Sequence, residues 1–400
     1  MNSAADPNAY DVAVIGAGAA GLLAAAVAAE RGRRTLLLEK NPQPGVKILM
    51  SGGTRCNLTQ ATDARAIIKA YGPSGRFLHA ALGLLDPDGL VALVESLGVP
   101  TKIEPTGKIF PQSDQASDIL AAFMRRLKDS GATLALGEPL VELERCPEQG
   151  FQLRTPLRSI RVESVLIATG GRSYPGSGTT GDGYAWAAQL GHTIVPPRPA
   201  LTPLTTDVDW VRNLRGITLP DAALRLYRRD QAGSKRKPID QRRGSLLFAH
   251  FGLSGPPDLE ISRLVSCAPD PKVLELEIDF LPDESLASLG QQLKTEARRP
   301  GKRPAQALLP ESLPKRLRSE LLDLVEIAAD KPSAELSSAD LEKLAAVLKS
   351  AKLLLSGTLG FKKAEVTAGG VALDEVDSRT MQSKLVPALF LAGEVLDLDG

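Results

Sequence analysis

The sequence predicts an α/β fold: a Rossmann-like domain assembled from two separated chain pieces, with a β-rich domain and a small helical module inserted between them. Three observations carry this prediction. A glycine turn (Gly16, Ala17, Gly18, Ala19, Ala20, Gly21) follows an apolar run suited to a buried parallel strand and opens a helical stretch. Alternating apolar stretches take over near residue 196 and give way to helical patterns near residue 283. Around Phe361 the glycine-rich, short-strand character of the first region returns. The expected segments are therefore 1–195 and 351–400 for the split domain, 196–282 for the β-rich insertion and 283–350 for the helical one.

Residues 11–15 (Asp-Val-Ala-Val-Ile) make the first buried strand, and residues 22–31 a helix stopped by Gly32. Residues 35–38 make a second buried strand that ends at Glu39, completing a βαβ unit with a right-handed crossover. Residues 41–59 are rich in Gly, Pro and Ser and have no periodicity, so they read as a long loop of the kind that usually carries function. Residues 77–97 and 116–130 read as amphipathic helices, with a short strand and turn at 102–111 between them. Three brief strands are expected within 133–161, broken at Pro139 and at Gln149-Gly150, and an apolar strand at 162–169 runs into Gly170 and Gly171. In the insertion, residues 223–227, 244–248 and 273–278 read as strands, and 284–298, 313–329 and 339–350 as helices. Residues 389–392 form a last buried strand before Gly393 and Glu394.

Composition narrows the chemistry. Four hundred residues suffice for two or three domains. Lys+Arg 48 against Asp+Glu 47 leaves a formal charge of +1, without the basic excess of a nucleic-acid coat. Three cysteines in no CxxC spacing argue against a disulfide framework or a cysteine-rich metal site, and three scattered histidines against a multi-His metal centre. No metal is expected, so the chemistry has to come from a borrowed cofactor. Residues 12–29 are apolar over nearly the length of a membrane span, yet residues 1–10 carry no Lys or Arg. A strand–turn–helix accounts for the same residues, and a cytoplasmic, membrane-free location is expected.

Each glycine of the turn has its own reason. Gly16 permits the tight turn, Gly18 lets the backbone approach a pyrophosphate, and Gly21 lets the helix pack on the strand. The helix N-terminus offers free N–H groups and partial positive charge to phosphate oxygens. Glu39 stands where a carboxylate accepts ribose hydroxyls and disfavours a 2′-phosphate. In the following loop, Lys47 and Arg55 stand among small residues and suit a diphosphate or an anionic substrate. A second glycine pattern at Gly176, Gly178 and Gly181 is read as a decoy, because no strand directly precedes it and the segment after the following helix, His192–Pro196, supplies no acid. Asp182 after it either caps a helix or bonds a cofactor. Cys56 has no CxxC partner and reads as a packing residue. Two basic runs, 225–243 and 294–318, each hold eight Lys or Arg, but Pro, Gly and Gln interleave them instead of stacking aromatics.

Several blocks together identify a resemblance. Residues 51–57 (Ser-Gly-Gly-Thr-Arg-Cys-Asn), 107–111 (Gly-Lys-Ile-Phe-Pro), 248–256 (Phe-Ala-His-Phe-Gly-Leu-Ser-Gly-Pro), 367–371, 380–384 and 392–400 keep their order over nearly the whole chain. With the opening GAGAAG and Glu39, they resemble the BaiN-like (YhiN-like) bacterial NAD(P)/FAD-dependent oxidoreductases, which are two-dinucleotide-fold flavoproteins. The resemblance implies noncovalent FAD and a Rossmann-like FAD-binding domain split by a β-barrel-like domain and a small helical domain. It implies that Gly16, Gly18, Gly21, Glu39 and Lys40 hold the ADP half, and that Arg55, Cys56, Asn57, Gly393 and Glu394 lie along the ribityl and isoalloxazine half. Ala17, Ala19, Ala20, Lys47, Ser51, Gly52, Gly53, Thr169, Gly170, Gly171 and Asp182 complete the expected cofactor site. Thr54 stands where the family usually has a third glycine and Ala249 where it usually has threonine, so contacts there are expected to differ. The family pattern continues beyond Gly400 with a Gly-rich turn and a helix.

The expected activity is transfer of hydride from NAD(P)H through FAD to a C=C or similar acceptor on a small molecule. His250 is the candidate general acid, since imidazole exchanges protons near neutral pH; the alternative is a histidine held at a domain junction. The rival readings are a tRNA-modifying flavoenzyme and a flavin-binding protein without turnover of its own.

Overall fold

The structure, a computed structural model, describes residues 8–146, 150–230 and 236–399. It divides into two units, Met1–Pro197 with Val366–Gly400 and Arg198–Glu365. In the first, β1 (Ala9–Ile15), α1 (Ala19–Glu30) and β2 (Thr35–Glu39) form the βαβ unit. β2 is buried at every residue, which is why it reads as an unbroken apolar run and not as an alternation. The apolar stretch at 12–29 is thus divided between β1, the turn and α1, a helix of 12 residues. No single helix among the described residues is long and apolar enough to cross a membrane.

Beyond β2 come α2 (Val46–Thr54), α3 (Ala116–Asp129), β3 (Thr133–Leu136), β4 (Glu142–Cys146), β5 (Gly150–Arg154), β6 (Ser159–Ile167) and α4 (Asp182–Gln189). Two expectations change here. The stretch 41–59 is not one loop, since α2 begins at Val46, and it bends at Ser51, Gly52 and Gly53, whose backbone is not helical. Thr54 and Cys56 follow at φ 70 and 64, a conformation that is strained for residues with a Cβ. The helix expected over 77–97 is interrupted: His79–Leu84 ends, and Pro87–Ser96 restarts with Asp86 as its N-cap, accepting from Gly89 N at 2.8 Å. Pro87 opens that second helix, where its missing N–H removes no bond.

The second unit holds β7 (Thr218–Arg228), β8 (Asp240–Ala249), β9 (Gly252–Ser254), α5 (Pro256–Cys267), β10 (Leu274–Asp279), α6 (Leu286–Ala297), α7 (Lys315–Asp323), α8 (Ser338–Lys349) and β11 (Ala351–Leu354). Its antiparallel sheet runs β11-β10-β7-β8-β9, followed by Leu204–Thr205 and Gly357–Thr358. The two end strands of that order, β11 and Gly357–Thr358, are joined in the chain by Leu355 and Ser356 alone, so the sheet curls back toward itself. Leu224, Leu246 and Ile278 of the sheet share one buried cluster with Leu293 of α6, Leu321 of α7 and Leu344 of α8. The β-rich and helical stretches therefore share a core. β11 pairs with β10, so the chain leaves this unit only at Glu365.

Returning to the first unit, β12 (Leu389–Leu391) enters its sheet. The order is β3-β2-β1-β6-β5-β4, with β12 beside the C-terminal half of β6, where β5 has left off. β3, β2, β1, β6 and β12 are parallel, whereas β5 runs antiparallel to β6 and β4 antiparallel to β5.

Candidate functional site

The carboxyl ends of β2, β1, β6 and β12 lie side by side on one crest of the first sheet. At ~4.8 Å per strand, that crest is ~14 Å long. A cavity of about 340 Å³ is lined by residues at or just after the end of each strand: Glu39 and Lys40, then Gly16 to Ala20, then Thr169 and Gly170, then Gly393 and Glu394.

The glycines of the turn differ in what a methyl group would meet. A Cβ on Gly16, at φ +102, would lie 2.7 Å from the Ala168 carbonyl oxygen, and one on Gly21 would lie 1.8 Å from that of Gly16. A Cβ on Gly18 would meet nothing within 4 Å. Two of the glycines thus permit close packing and the middle one keeps the groove clear. Gly18 is also the N-cap of α1 and supplies no side-chain cap, and the first turn carries no acid, so its amides are available to an anion.

Glu39 is 9% exposed, and its Oε2 accepts from Ala17 N at 2.7 Å while Oε1 accepts from Asn41 N at 2.9 Å. These bonds aim the carboxylate at the turn and leave lone pairs for a diol. Lys40 Nζ donates to Asp182 Oδ2 at 2.6 Å and to Thr180 Oγ1 at 2.5 Å. Asp182 does not cap α4, whose N-cap is Gly181 without a side-chain bond; it anchors Lys40 instead. Asn41 Nδ2 donates to the Ser177 carbonyl at 3.0 Å, fastening the loop before α4 to the end of β2.

At the other end, Lys47 Nζ lies 2.7 Å from both Glu394 Oε2 and Ser173 Oγ. Glu394 Oε1 accepts from Ser173 Oγ at 2.9 Å and from Thr367 N at 2.6 Å. The Thr169 hydroxyl, on a residue lining the cavity, is buried with no hydrogen-bond partner. An uncapped helix end, a clear Gly18 and an acid at β2 fit a dinucleotide lying across the crest.

Other expected residues lie outside the lining. Gly21 is packed beneath the turn, and Gly171 sits so close to Thr367 that a Cβ would lie 2.4 Å from its Oγ1. Ser51, Gly52, Gly53, Arg55, Cys56 and Asn57 do not line the cavity either. Arg55 is engaged by Glu104 and Asp114 and lies 4.0 Å over the Phe110 ring. Burial pushes the Cys56 thiol above its ordinary pKa, which suits a packing role. His250 is exposed in the turn between β8 and β9 of the second unit, edge-on to Phe251 with ring centroids 5.0 Å apart. Glu138, Leu140, Ser177, Thr179 and Trp186 line the cavity without forming part of any recognised motif. Glu138 arrives because β3 ends beside β2, and Arg158 grips it by two bonds of 2.9 Å. No local pattern announces that adjacency.

The chain matches the family described as HI0933-like protein Rossmann domain over residues 10–400. It is 32% identical over 402 residues to a ribosomal RNA dihydrouridine synthase of Escherichia coli (strain K12), covering 98% of this chain and 92% of the relative. A 3-dehydro-bile acid delta(4,6)-reductase of Clostridium scindens is 30% identical over 393 residues, covering 97% and 93%. Among solved structures, the 3-ketosteroid-delta4-(5alpha)-dehydrogenase of Rhodococcus jostii RHA1 aligns over 99% of this chain and 92% of its own, with TM-score 0.50 and 16% identity, a likeness of fold. The glycine turn, the crest of parallel strand ends and the match over nearly the whole length agree: the chain belongs to the HI0933-like, BaiN/YhiN-like family of FAD-dependent oxidoreductases.

Proposed function

We propose that this protein is an NAD(P)H-linked reductase of C=C bonds conjugated with a carbonyl, acting in the cytoplasm. The observation that supports it most is the cavity over four adjacent strand ends, with free helix amides at its middle and Glu39 at one end. Glu39 would hold the adenosine ribose, the first turn of α1 the diphosphate, and Thr169, Gly170, Lys47, Gly393 and Glu394 the flavin half. FAD, when bound there, supplies the relay that takes hydride from a nicotinamide and delivers it to the acceptor. The chain's own part is to orient the cofactor and to exclude water.

The names of the relatives support the acceptor class. Dihydrouridine is uridine with its C5=C6 bond saturated, next to a carbonyl, and a delta(4,6)-reductase of a 3-dehydro bile acid saturates a C=C of the same kind. Uracil in ribosomal RNA is accordingly the acceptor to assay first. A small enone is the second reading, favoured by the pairing of the basic runs. Arg225 pairs with Asp279, Arg236 with Glu275, Arg243 with Asp221 and Asp283, and Arg303 with Glu296. Such pairs leave fewer charges for phosphates; Lys235 of the first run lies outside the described residues.

The test is anaerobic. NADH or NADPH should bleach the bound flavin, and either a uridine-containing ribosomal RNA fragment or a conjugated enone should restore its colour. Bleaching by neither donor would remove the first half of the proposal. Reoxidation by dioxygen but by neither acceptor would make the protein an oxidase.

A further inference from the structure

Two cations line the cavity among the described residues, Lys40 and Lys47, and they stand at different ends of the crest. Lys40 follows β2 and is tied to Asp182. Lys47 is tied to Glu394, which follows β12, three strands further along. The free amides of α1 lie between them. In the proposed function, a dinucleotide with its ribose at Glu39 and its diphosphate at α1 reaches Lys47 with its flavin half.

We propose that Lys47 sets the reduction potential of the flavin, and that Glu394 positions it and moderates its charge. An isoalloxazine ring gains negative charge on reduction, and a nearby ammonium favours that state. The ammonium here is fixed by atoms from three chain segments. Ser173 and Glu394 hold Lys47 directly, and Glu394 is fixed in turn by Thr367 N and Ser173 Oγ. The side chains are 34% and 21% exposed, so a ring lying over the cavity would cover much of what water still reaches. Removing that water strengthens the field of the ammonium at the ring. The carboxylate next to it opposes that field, which makes the pair a setting between two limits.

The inference depends on flavin occupying this cavity, and the experiment separates the two questions. FAD-loaded full-length protein and its Lys47→Met, Lys47→Arg and Glu394→Gln variants are compared by FAD dissociation constant, dye-equilibrated midpoint potential and sulfite affinity of the oxidised flavin. Lys47→Met is expected to disfavour reduction about tenfold, ~30 mV for a two-electron couple, and to weaken sulfite binding by a similar factor. Lys47→Arg should stay near the parent, and Glu394→Gln should shift both quantities the other way. If Lys47→Met weakens FAD binding while leaving potential and sulfite affinity unchanged, the lysine is a diphosphate counter-charge and the inference falls. If Lys47→Met retains no flavin, Glu394→Gln decides: a raised potential supports the assignment and an unchanged one overturns it. A parent protein that takes up no FAD would instead remove the underlying reading.

Discussion

Gly18 and Gly21 belong to one turn, yet a methyl group would act on them through different physics. At Gly18 it would enter open groove at an ordinary backbone angle, φ −80. Gly18→Ala is expected to stay within ~0.5 kcal/mol of the parent's stability while FAD affinity falls, as a calorimetric scan and a flavin titration would show. At Gly21 the same methyl would meet the Gly16 carbonyl at 1.8 Å, and Gly21→Ala should cost about 3 kcal/mol whether or not flavin is present. Asp258, in the first turn of α5, makes a different point. It is fully buried, one oxygen accepts from Leu204 N at 3.1 Å and the other has no partner. Burial pushes its pKa up to about 7 from an ordinary 3.8. The native state therefore holds this proton more tightly than the unfolded chain does. Stability from this group is full below about pH 4 and declines as pH rises toward 7, by up to about 4 kcal/mol. Asp258→Asn should flatten that slope and melt higher than the parent at pH 8.

At the scale of elements, the segment between β6 and α4 forms a strap beside the Glu39 end of the cavity. Tyr174, Gly178 and Gly181 adopt left-handed backbone there, the first two flanking a single 3-10 turn at Pro175–Ser177, so the loop has a set shape. It is tied to the end of β2 at two points, Lys40 with Asp182 and Thr180, and Asn41 with the Ser177 carbonyl. Lys40 and Asp182 are 30% and 40% exposed, so the pair contributes modestly to stability. Its effect should appear as a rate. Lys40→Met or Asp182→Asn is expected to speed FAD dissociation about fivefold and to remove the salt dependence expected of the parent, measured by recovery of flavin fluorescence. α2 differs in kind: its helical turn ends in the glycine bend at Gly52 and Gly53, and the strained Thr54 and Cys56 carry Arg55 toward Glu104 and Asp114.

At the scale of the whole molecule, the two units have separate cores and one tryptophan each, Trp186 and Trp210. Trp186 lines the cavity, whereas Trp210 packs near Phe248, ring centroids 6.2 Å apart. FAD at a hundredfold excess over its dissociation constant should stabilise the unit that binds it by ~2.7 kcal/mol. Read in Trp210→Phe, the Trp186 transition should move up and its emission be quenched; read in Trp186→Phe, the Trp210 transition should move less. The order of residues was enough to specify the βαβ unit, the close packing at Gly16 and Gly21, the acid at the end of β2 and the existence of an insertion. These rest on local periodicity and on backbone freedom, which neighbouring residues specify. Only the folded chain decided that Lys47 meets Glu394, 347 positions away, that Lys40 meets Asp182, 142 positions away, and that Arg55 turns from the cavity to Glu104. Those pairings depend on which strand ends become neighbours on the crest, and a strand's apolar run records that it is buried without recording beside what.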